Sequence, residues 1–192
     1  MVVMDWDEMY RSRERVFSGE PNEVLVAEAA GLAPGQALDA GCGEGADALW
    51  LARRGWHVTA VDASRVALER AAAADDTGRV AWMHADLTAM APPAGCFDLV
   101  SAHYVPLPKA DPGVLRGLLA AVAPGGTLLV TSHDPAELTA REGFDPADYY
   151  HPADIAALLA AEWTVLVDEI RPRATPGRYT RDTVLRARRA TG

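Results

Sequence analysis

The sequence has few of the disulfide or metal sites that stabilise small secreted proteins, and few of the apolar runs that place a chain in a membrane. Its two cysteines, Cys42 and Cys96, are too few for a disulfide framework and have no zinc-ligand spacing. No apolar run approaches the roughly 18–20 residues that span a bilayer, and residues 1–30 contain no apolar core of signal-peptide length. We therefore expect a cytoplasmic protein that neither enters a membrane nor needs a metal.

Lysine is nearly absent, and the positive charge is concentrated at one end. Lys109 is the single lysine, and the net charge is −9, yet residues 171–192 hold seven arginines against Asp182. Because phosphate neutralisation dominates DNA affinity, a DNA-binding protein would more often carry its basic face over the main fold, and we expect no nucleic-acid partner. The segment fits an edge strand with outward charge, and contact with RNA or an acidic partner is the alternative.

Length and patterning predict one globular domain. A chain of 192 residues, 49% hydrophobic and 23% charged, can bury a core unaided. Predicted strands and helices alternate from residue 36 to about 132, which is typical of a parallel sheet covered by helices on both faces. Two later strands, at 163–170 and 178–186, have no helix between them and predict an antiparallel hairpin. The expected fold is α/β, a doubly wound, mostly parallel, seven-stranded Rossmann-like sheet.

The most informative stretch is Asp-Ala-Gly-Cys-Gly-Glu-Gly over residues 39–45, where a short buried strand turns into a helix. Glycines let the backbone turn tightly and approach a ligand, and ligands of open α/β sheets bind beyond the carboxyl ends of the strands. Asp62 ends the next strand 19 residues after Gly43, where it could accept both hydroxyls of a ribose. Asp86 follows a third strand and precedes Leu87.

The same turn also satisfies a dinucleotide fingerprint, because residues 41–46 read Gly-x-Gly-x-x-Ala. Three features argue against a nicotinamide cofactor. Asp39 precedes the first glycine by two residues, where a carboxylate would repel a pyrophosphate but could pair with a cationic amino group. Gly45 extends the glycine set, and Asp86-Leu87 adds a strand-end acid suited to an adenine amino group.

Together these motifs resemble the successive cofactor motifs of class I S-adenosylmethionine-dependent methyltransferases. The resemblance covers residues 35–132 and the final hairpin, and it implies S-adenosylmethionine as the cofactor. In that family the first acid orients the ammonium group of the methionine part, the second binds the ribose and the third meets the adenine, which here implies Asp39, Asp62 and Asp86. The full set that we expect at the cofactor is Asp39, Gly41, Cys42, Gly43, Gly45, Asp62, Ala63, Asp86, Leu87 and His103.

The N-terminal pattern Trp6-Asp7-x-x-Tyr10, followed by Gly-x-Pro-Asn at 19–22, is similar to small tellurite-resistance and thiopurine-methyltransferase-like enzymes. Family members with an Asn-Pro-Pro-Tyr type motif after the fourth strand methylate amide or nucleobase nitrogens. Residues 101–106 read Ser-Ala-His-Tyr-Val-Pro instead. We therefore expect a small-molecule acceptor, and a thiol or another soft nucleophile would suit this resemblance.

His103 and Tyr104 follow the fourth strand and are the candidate catalytic residues. Histidine is the natural base near pH 7, although both side chains could merely wall the site. A metal site formed by His103, His133 and Asp134 is conceivable but lacks a tight ligand spacing. In-line methyl transfer itself needs little acid or base help.

Four aromatic residues are candidates for the acceptor site: Trp6, Tyr10, Tyr149 and Tyr150. The first pair either covers the cofactor or belongs to the helix core. The second pair lies in a long polar insertion, which either closes over the acceptor or packs down.

We expect a single domain, as a monomer or homodimer, with four parts. These are an N-terminal helical cap with helices at 4–17 and 21–30, a cofactor-binding core, a substrate-side insertion, and a C-terminal helix with the edge hairpin, over residues 1–34, 35–132, 133–151 and 152–192. Two other functions stay open: a sensor that binds S-adenosylmethionine without turnover, and a nicotinamide-dependent oxidoreductase. The latter lacks a Tyr-x-x-x-Lys pair, since Lys109 is the single lysine.

Overall fold

The computed structural model describes residues 5–14, 16–141, 143–174 and 177–191. Its helices and strands, in chain order, are α1 (Trp6–Arg11), α2 (Glu23–Ala29), β1 (Gln36–Ala40), α3 (Ala46–Arg53), β2 (His57–Asp62), α4 (Arg65–Ala73), β3 (Val80–His84), β4 (Phe97–His103), α5 (Pro112–Ala121), β5 (Val122–His133), α6 (Pro152–Leu158), β6 (Trp163–Pro172) and β7 (Arg181–Arg189). Two 3-10 turns, Pro135–Glu137 and Pro146–Asp148, lie between β5 and α6. Among these residues, no helix is both long enough and apolar enough to cross a membrane.

The seven strands form one sheet in the order β3-β2-β1-β4-β5-β7-β6. Strands β1 to β5 pair in parallel, whereas β7 is antiparallel to both β5 and β6. This arrangement confirms the predicted doubly wound sheet with its antiparallel C-terminal hairpin. The carboxyl ends of β1, β4 and β5 therefore meet at one edge of the molecule.

Helices cover the sheet on both faces, so each central strand is buried on two sides. Because successive side chains of a strand point to opposite faces, Ala37 packs with α2, α3 and α4, including Leu51. Leu38, the next residue, packs with α5 and α6, where Leu118 and Ile155 are fully buried. Burial on both faces explains why the predicted strands read as nearly continuous apolar runs.

The two N-terminal helices are shorter than predicted. α1 ends at Arg11, whereas the sequence pattern predicted a helix over 4–17; Met4 lies outside the described residues. α2 begins at Glu23 rather than at Pro21, because the side chain of Asn22 accepts the N–H of Val24 and caps the helix.

The C-terminal half also departs from prediction in detail. β5 begins at Val122, so the Pro-Gly-Gly at 124–126 lies within the strand, where the pairing with β4 is irregular, rather than in a separate turn. The arginine-rich strand β7 was predicted to lie at the sheet edge. It lies between β5 and β6 instead, and β6 is the edge strand.

The C-terminal arginines are largely engaged within the protein. Arg171 and Arg186 both reach Glu28, and Arg181 pairs with Asp134. The others contact Asp182, the carbonyl oxygens of Gly125 and Val122, and the ring of Tyr179; they are Arg173, Arg188, Arg189 and Arg178. These contacts favour a structural role for the basic segment.

Candidate active site

The glycine loop, residues 41–45, connects β1 to α3. Its three glycines adopt left-handed backbone conformations with φ of 69°, 52° and 84°, which side-chain-bearing residues adopt at a cost. The loop is also tightly surrounded. A Cβ at Gly41 would lie 2.5 Å from Val105 Cγ2, and one at Gly45 would lie 2.6 Å from the ring of Trp82. Cys42 is buried, and burial raises the pKa of its thiol well above the usual value.

Asp39, near the end of β1, is a buried carboxylate with an incomplete set of partners. The side chain is 2% exposed, and Ser101 Oγ lies 3.5 Å from its Oδ1. Within the described residues, Oδ2 has no hydrogen-bond partner. Burial, together with the nearby carboxylates of Asp47 and Asp62, raises the pKa of Asp39 well above its usual value. An unpaired buried carboxylate is costly, so this atom suits a cationic group of a ligand.

Asp62, the last residue of β2, is tied to the glycine loop. Its Oδ2 accepts the backbone N–H of Gly43 and its Oδ1 that of Ser64, both at 2.8 Å. Burial raises the pKa of Asp62 despite these bonds. The exposed residue Ala63 follows, and its carbonyl oxygen lies 3.0 Å from His84 Nε2.

The third predicted acid lies at the surface. Asp86 is exposed, and its Oδ1 accepts both the N–H and the hydroxyl of Thr88 at 2.8 Å. Leu87 packs partly buried against the core on the α5 face of the sheet. Asp86 thus caps a local turn. It follows β3, which pairs with β2, the strand that ends at Asp62.

The segment that contains α1 lies over the glycine loop. Tyr10 is 4% exposed, and its hydroxyl lies 2.7 Å from where a Cβ on Gly43 would be. Burial raises the pKa of Tyr10, and the charges of nearby acids add to this effect. Trp6 is half-buried, and Asp7 accepts the hydroxyl of Ser64 at 2.7 Å.

Glu44, in the middle of the glycine loop, anchors this segment. Its carboxylate accepts the N–H groups of Val16 and Phe17 at 3.1 Å and pairs with Arg70 at 2.9 Å. Arg70 in turn donates to the carbonyl oxygen of Tyr10 at 2.9 Å. Sequence reasoning treated residue 44 as a spacer between glycines, and no local signal identified Arg70 as its partner.

His103 ends β4 beside the glycine loop. Both of its ring nitrogens are buried and have no hydrogen-bond partner in the described part of the chain. Burial lowers the pKa of His103, against the opposing charges of Asp47 and Asp182. The imidazole is therefore neutral near pH 7 and can bond to a ligand.

Five residues, which we call the Asp182 cluster, meet beyond β4, β5 and β7: Tyr104, His133, Arg173, Tyr179 and Asp182. Asp182 is 1% exposed and lies 3.1 Å from His133 Nδ1. Arg173 donates to both of its oxygens at 3.0 Å. Burial alone would raise the pKa of Asp182, but hydrogen bonds from His133, Tyr104 and Arg173 outweigh burial and lower it.

Tyr104 is held firmly within this cluster. It adopts a left-handed backbone conformation with φ of 58°, which is unusual for a residue other than glycine. Its hydroxyl donates to Asp182 Oδ2 at 2.7 Å and accepts from Arg173 at 2.6 Å. Burial and the charge of Asp182 raise the pKa of Tyr104, so the phenol is neutral.

Sequence reasoning named His133 as a conceivable metal ligand with His103 and Asp134. Among the residues that the structure describes, no group of three or more His, Cys, Asp or Glu side chains could hold a metal ion. Asp134 instead pairs with Arg181 at 2.9 Å. The cluster around Asp182 was missed, and no local pattern links its members.

The two tyrosines of the insertion pack against the segment that follows β4. Tyr150 donates its N–H to the carbonyl oxygen of Leu107 at 2.8 Å, and Tyr149 forms an antiparallel bridge with Pro108. The ring of Phe144 stacks on Tyr149 at 5.4 Å. The insertion is thus packed down on the molecule beside the end of β4.

Comparison with known proteins identifies the family to which this chain belongs. The Methyltransferase domain family matches residues 37–126. The chain is 32% identical over 166 residues to the 2-heptyl-1-hydroxyquinolin-4(1H)-one methyltransferase of Mycobacteroides abscessus, a match that covers 80% of this chain and 69% of that protein. The chain belongs to the class I S-adenosylmethionine-dependent methyltransferases. S-adenosylmethionine is accordingly the cofactor of this methyltransferase.

Other similarities are shorter or more distant. The uncharacterized methyltransferase Rv0089 of Mycobacterium tuberculosis is 42% identical over 100 residues, and this chain spans only 49% of its length. A solved structure connected with the conversion of a disulfide bond into a thioacetal group during echinomycin biosynthesis matches with a TM-score of 0.75 and 26% identity, over 97% of this chain and 91% of that one. TehB from Haemophilus influenzae matches with a TM-score of 0.71 over 95% of this methyltransferase and 66% of TehB, and its 14% identity shows the shared fold alone.

Proposed function

We propose that this methyltransferase transfers the methyl group of S-adenosylmethionine to a small-molecule acceptor by in-line displacement beside the end of β4. One observation carries the proposal. Buried polar atoms without described partners lie at the ends of three adjacent strands, on Asp39 of β1, His103 of β4 and Thr131 of β5. Buried polar groups are normally hydrogen-bonded, so this concentration supports a bound ligand there.

The cofactor-binding roles follow the order of the strands. We assign the glycine loop to the methionine part, Asp39 to its ammonium group, Asp62 to the ribose hydroxyls and Asp86 to the adenine, which Ala63 and Leu87 would flank. The unpaired Oδ2 of Asp39 and the left-handed glycines support this fit. When bound, S-adenosylmethionine supplies an electrophilic methyl group on a good leaving group.

The main work of the protein is then to hold the acceptor in line with the methyl carbon. Such positioning can lower the activation barrier by about 7–11 kcal/mol. Trp6 and Tyr10 on the α1 side, and Tyr149 and Tyr150 on the insertion side, would bound the acceptor site. Tyr10 is buried and Tyr150 packs against the core, so these two side chains would form fixed walls of the acceptor site.

The relatives support a small acceptor, with either oxygen or sulfur as the methylated atom. The Mycobacteroides abscessus protein is named for a hydroxylated quinolone, and the structure from echinomycin biosynthesis concerns a sulfur centre. A thiol or another soft nucleophile therefore stays one candidate for this chain, and a hydroxyl group is the other.

Isothermal titration with S-adenosylhomocysteine tests the proposal, with NAD as the control ligand. We expect micromolar binding of the former and none of NAD. Asp62→Ala should weaken S-adenosylhomocysteine binding by the loss of charge-assisted hydrogen bonds worth about 1.5–3 kcal/mol each. Asp98→Ala is a matched control. Asp98 also accepts a backbone N–H, that of Gln36 at 2.8 Å, but it lies near the start of β4, at the end of the strand opposite the site.

Binding of NAD instead would overturn the interpretation of the glycine loop. Unchanged affinity in Asp62→Ala would remove the ribose from the end of β2. Tight binding of S-adenosylhomocysteine without turnover of any acceptor would favour a sensor over an enzyme.

A further inference from the structure

The Asp182 cluster takes no part in the cofactor-binding roles assigned above, yet three side chains, those of Tyr104, His133 and Arg173, contact its buried carboxylate. We propose that His133 Nε2 is the proton acceptor for an acceptor hydroxyl, so that the substrate is a small compound methylated on a weakly acidic O–H. This inference rests on the proposed methyl transfer and names the acceptor atom.

The carboxylate of Asp182 orients the ring of His133. Asp182 Oδ1 lies 3.1 Å from His133 Nδ1, and a carboxylate can only accept there. Arg173 Nη1 also lies 3.4 Å from Nδ1, but the carboxylate is the nearer group, so we assign the proton to Nδ1 and the lone pair to Nε2. Within the described ranges of the chain, Nε2 has no hydrogen-bond partner, and the side chain of His133 is 26% exposed while that of Asp182 is 2% exposed. The base is anchored at its buried end and open at the other.

The ring of His133 is held between aromatic neighbours. The His133 ring lies between two tyrosines, with centroids 4.4 Å from Tyr104 and 4.1 Å from Tyr179. Arg173 fixes Tyr104 and the carboxylate of Asp182 together by donating to both. Among the residues that the structure describes, the charged side chains in contact with the ring are those of Asp182 and Arg173, whose charges offset each other. The aromatic faces and the carboxylate would stabilise an imidazolium as it forms.

His133 and His103 lie at the ends of neighbouring parallel strands. β4 and β5 are parallel, and His103 lies opposite Thr131, so His133 is two residues further along the neighbouring strand. His103 has no carboxylate partner in the part of the chain that the structure describes, and burial lowers its pKa. His103 therefore suits a neutral hydrogen bond to the acceptor, and His133 suits removal of the proton.

The proton and electron balance is simple. The O–H bond of the acceptor breaks and its proton passes to Nε2, while the oxygen electron pair forms the new bond to the methyl carbon. The carbon–sulfur bond breaks with its pair on sulfur, so S-adenosylhomocysteine is the second product. The imidazolium returns its proton to water at its exposed edge. A thiol, with a pKa of about 8.5 against about 10 for a phenol, depends less on this step.

A matched pair of acceptors tests the proposal: 4-methylphenol and 4-methylbenzenethiol, with wild type, His133→Gln and His57→Gln. His57 is an exposed histidine at the start of β2 and controls for loss of an imidazole. We expect His133→Gln to reduce methylation of the phenol about 10²–10⁴-fold and methylation of the thiol only slightly. The pH–rate profile for the phenol should lose its histidine limb, and His57→Gln should behave as wild type.

An activity-independent measurement accompanies it. Long-range 1H–15N spectra of the histidine rings should show neutral His133 protonated at Nδ1, and Asp182→Asn should change this signature. An Nε2-protonated ring, equal losses for phenol and thiol, or no phenol methylation by a wild type that binds S-adenosylhomocysteine would each overturn the role of His133 alone. Failure of the wild type to bind S-adenosylhomocysteine would instead remove the proposed function.

Discussion

Two buried aspartates at the same edge of the sheet behave in opposite ways. Asp39 and Asp182 are 2% and 1% exposed, yet the pKa of the first is raised and that of the second lowered. Asp182 receives hydrogen bonds from His133, Tyr104 and Arg173, whereas Asp39 has Ser101 at 3.5 Å and an oxygen without a described partner. The protein satisfies one carboxylate, and in our proposal the other is left for the cofactor.

This difference separates the two halves of the site as we propose it, an acceptor half and a cofactor half. The acceptor half, around Asp182, is assembled from the protein's own side chains, and we expect it to be rigid before any substrate binds. The cofactor half retains an unpaired buried acid whose cost the fold must bear until a cationic group arrives. Removing each acid should therefore change different properties.

The largest effect should follow loss of the satisfied acid. Asp182→Ala leaves Arg173 and His133 without their shared partner, and breaking a buried pair typically costs about 3–5 kcal/mol. Urea denaturation should show this loss in the free energy of unfolding. Asp168→Ala, at an exposed aspartate of β6, should stay within about 0.5 kcal/mol of wild type. A small loss in Asp182→Ala would mean that the cluster contributes little to folding.

The unsatisfied acid should show the reverse pattern. Asp39→Asn removes a buried charge that has no described partner on Oδ2, so the free energy of unfolding should stay equal or rise. Affinity for S-adenosylhomocysteine should fall, because a hydrogen bond between charged groups is worth about 1.5–3 kcal/mol. Calorimetry would measure the affinity for S-adenosylhomocysteine, and urea denaturation of the same preparation would measure the free energy of unfolding. Reduced stability with unchanged affinity would contradict our assignment of Asp39.

The two acids should also give stability curves of opposite slope in acid. The folded-state pKa of Asp182 lies below its ordinary value of 3.8, so its contribution is present above that pH and is lost as the pH falls through the lowered pKa. The folded-state pKa of Asp39 lies above 3.8, so its charge costs stability as the pH rises towards that pKa. Unfolding free energies of wild type, Asp182→Asn and Asp39→Asn across acidic pH would show both trends, and parallel curves would refute them.

The smallest effect concerns the segment over the glycine loop. Glu44→Gln replaces the ion pair with Arg70, whose side chain is 29% exposed, by a neutral contact. Because partly exposed ion pairs are worth at most about 1 kcal/mol, global stability should change little. Cleavage within the α1 segment during limited proteolysis should nevertheless become faster, and added S-adenosylhomocysteine should slow it. Unchanged cleavage would show that Glu44 does not anchor the segment.

The same comparison explains what the sequence could predict. The cofactor half is encoded locally, since Asp39, the glycines, Asp62 and Asp86 follow consecutive predicted strands, and the alternation of elements predicted the fold. The acceptor half depends on tertiary pairing, because Tyr104 and Asp182 are 78 positions apart and meet only through β7. His133 was noticed for its chemistry, but nothing near it in the chain indicates which carboxylate orients it.

Element boundaries failed where distant contacts override local preference. The segment after α1 is drawn to Glu44, 28 positions away, rather than continuing the helix. Pairing with β4 extends β5 through the Pro-Gly-Gly stretch that reads locally as a turn. In each case, the deciding partner is remote in sequence.

The position of β7 has a consequence for how the chain is made. β6 borders β7 alone, and β7 joins β6 to the rest of the sheet. A nascent chain that has emerged only as far as β6 therefore has the complete glycine loop but no place to add its newest strand. That strand exposes Val165, Leu166 and Ile170 even in the finished fold. During synthesis, β6 is therefore unpaired and exposes apolar side chains until β7 emerges and brings Asp182 to His133. We expect chaperones to protect the protein most during this interval.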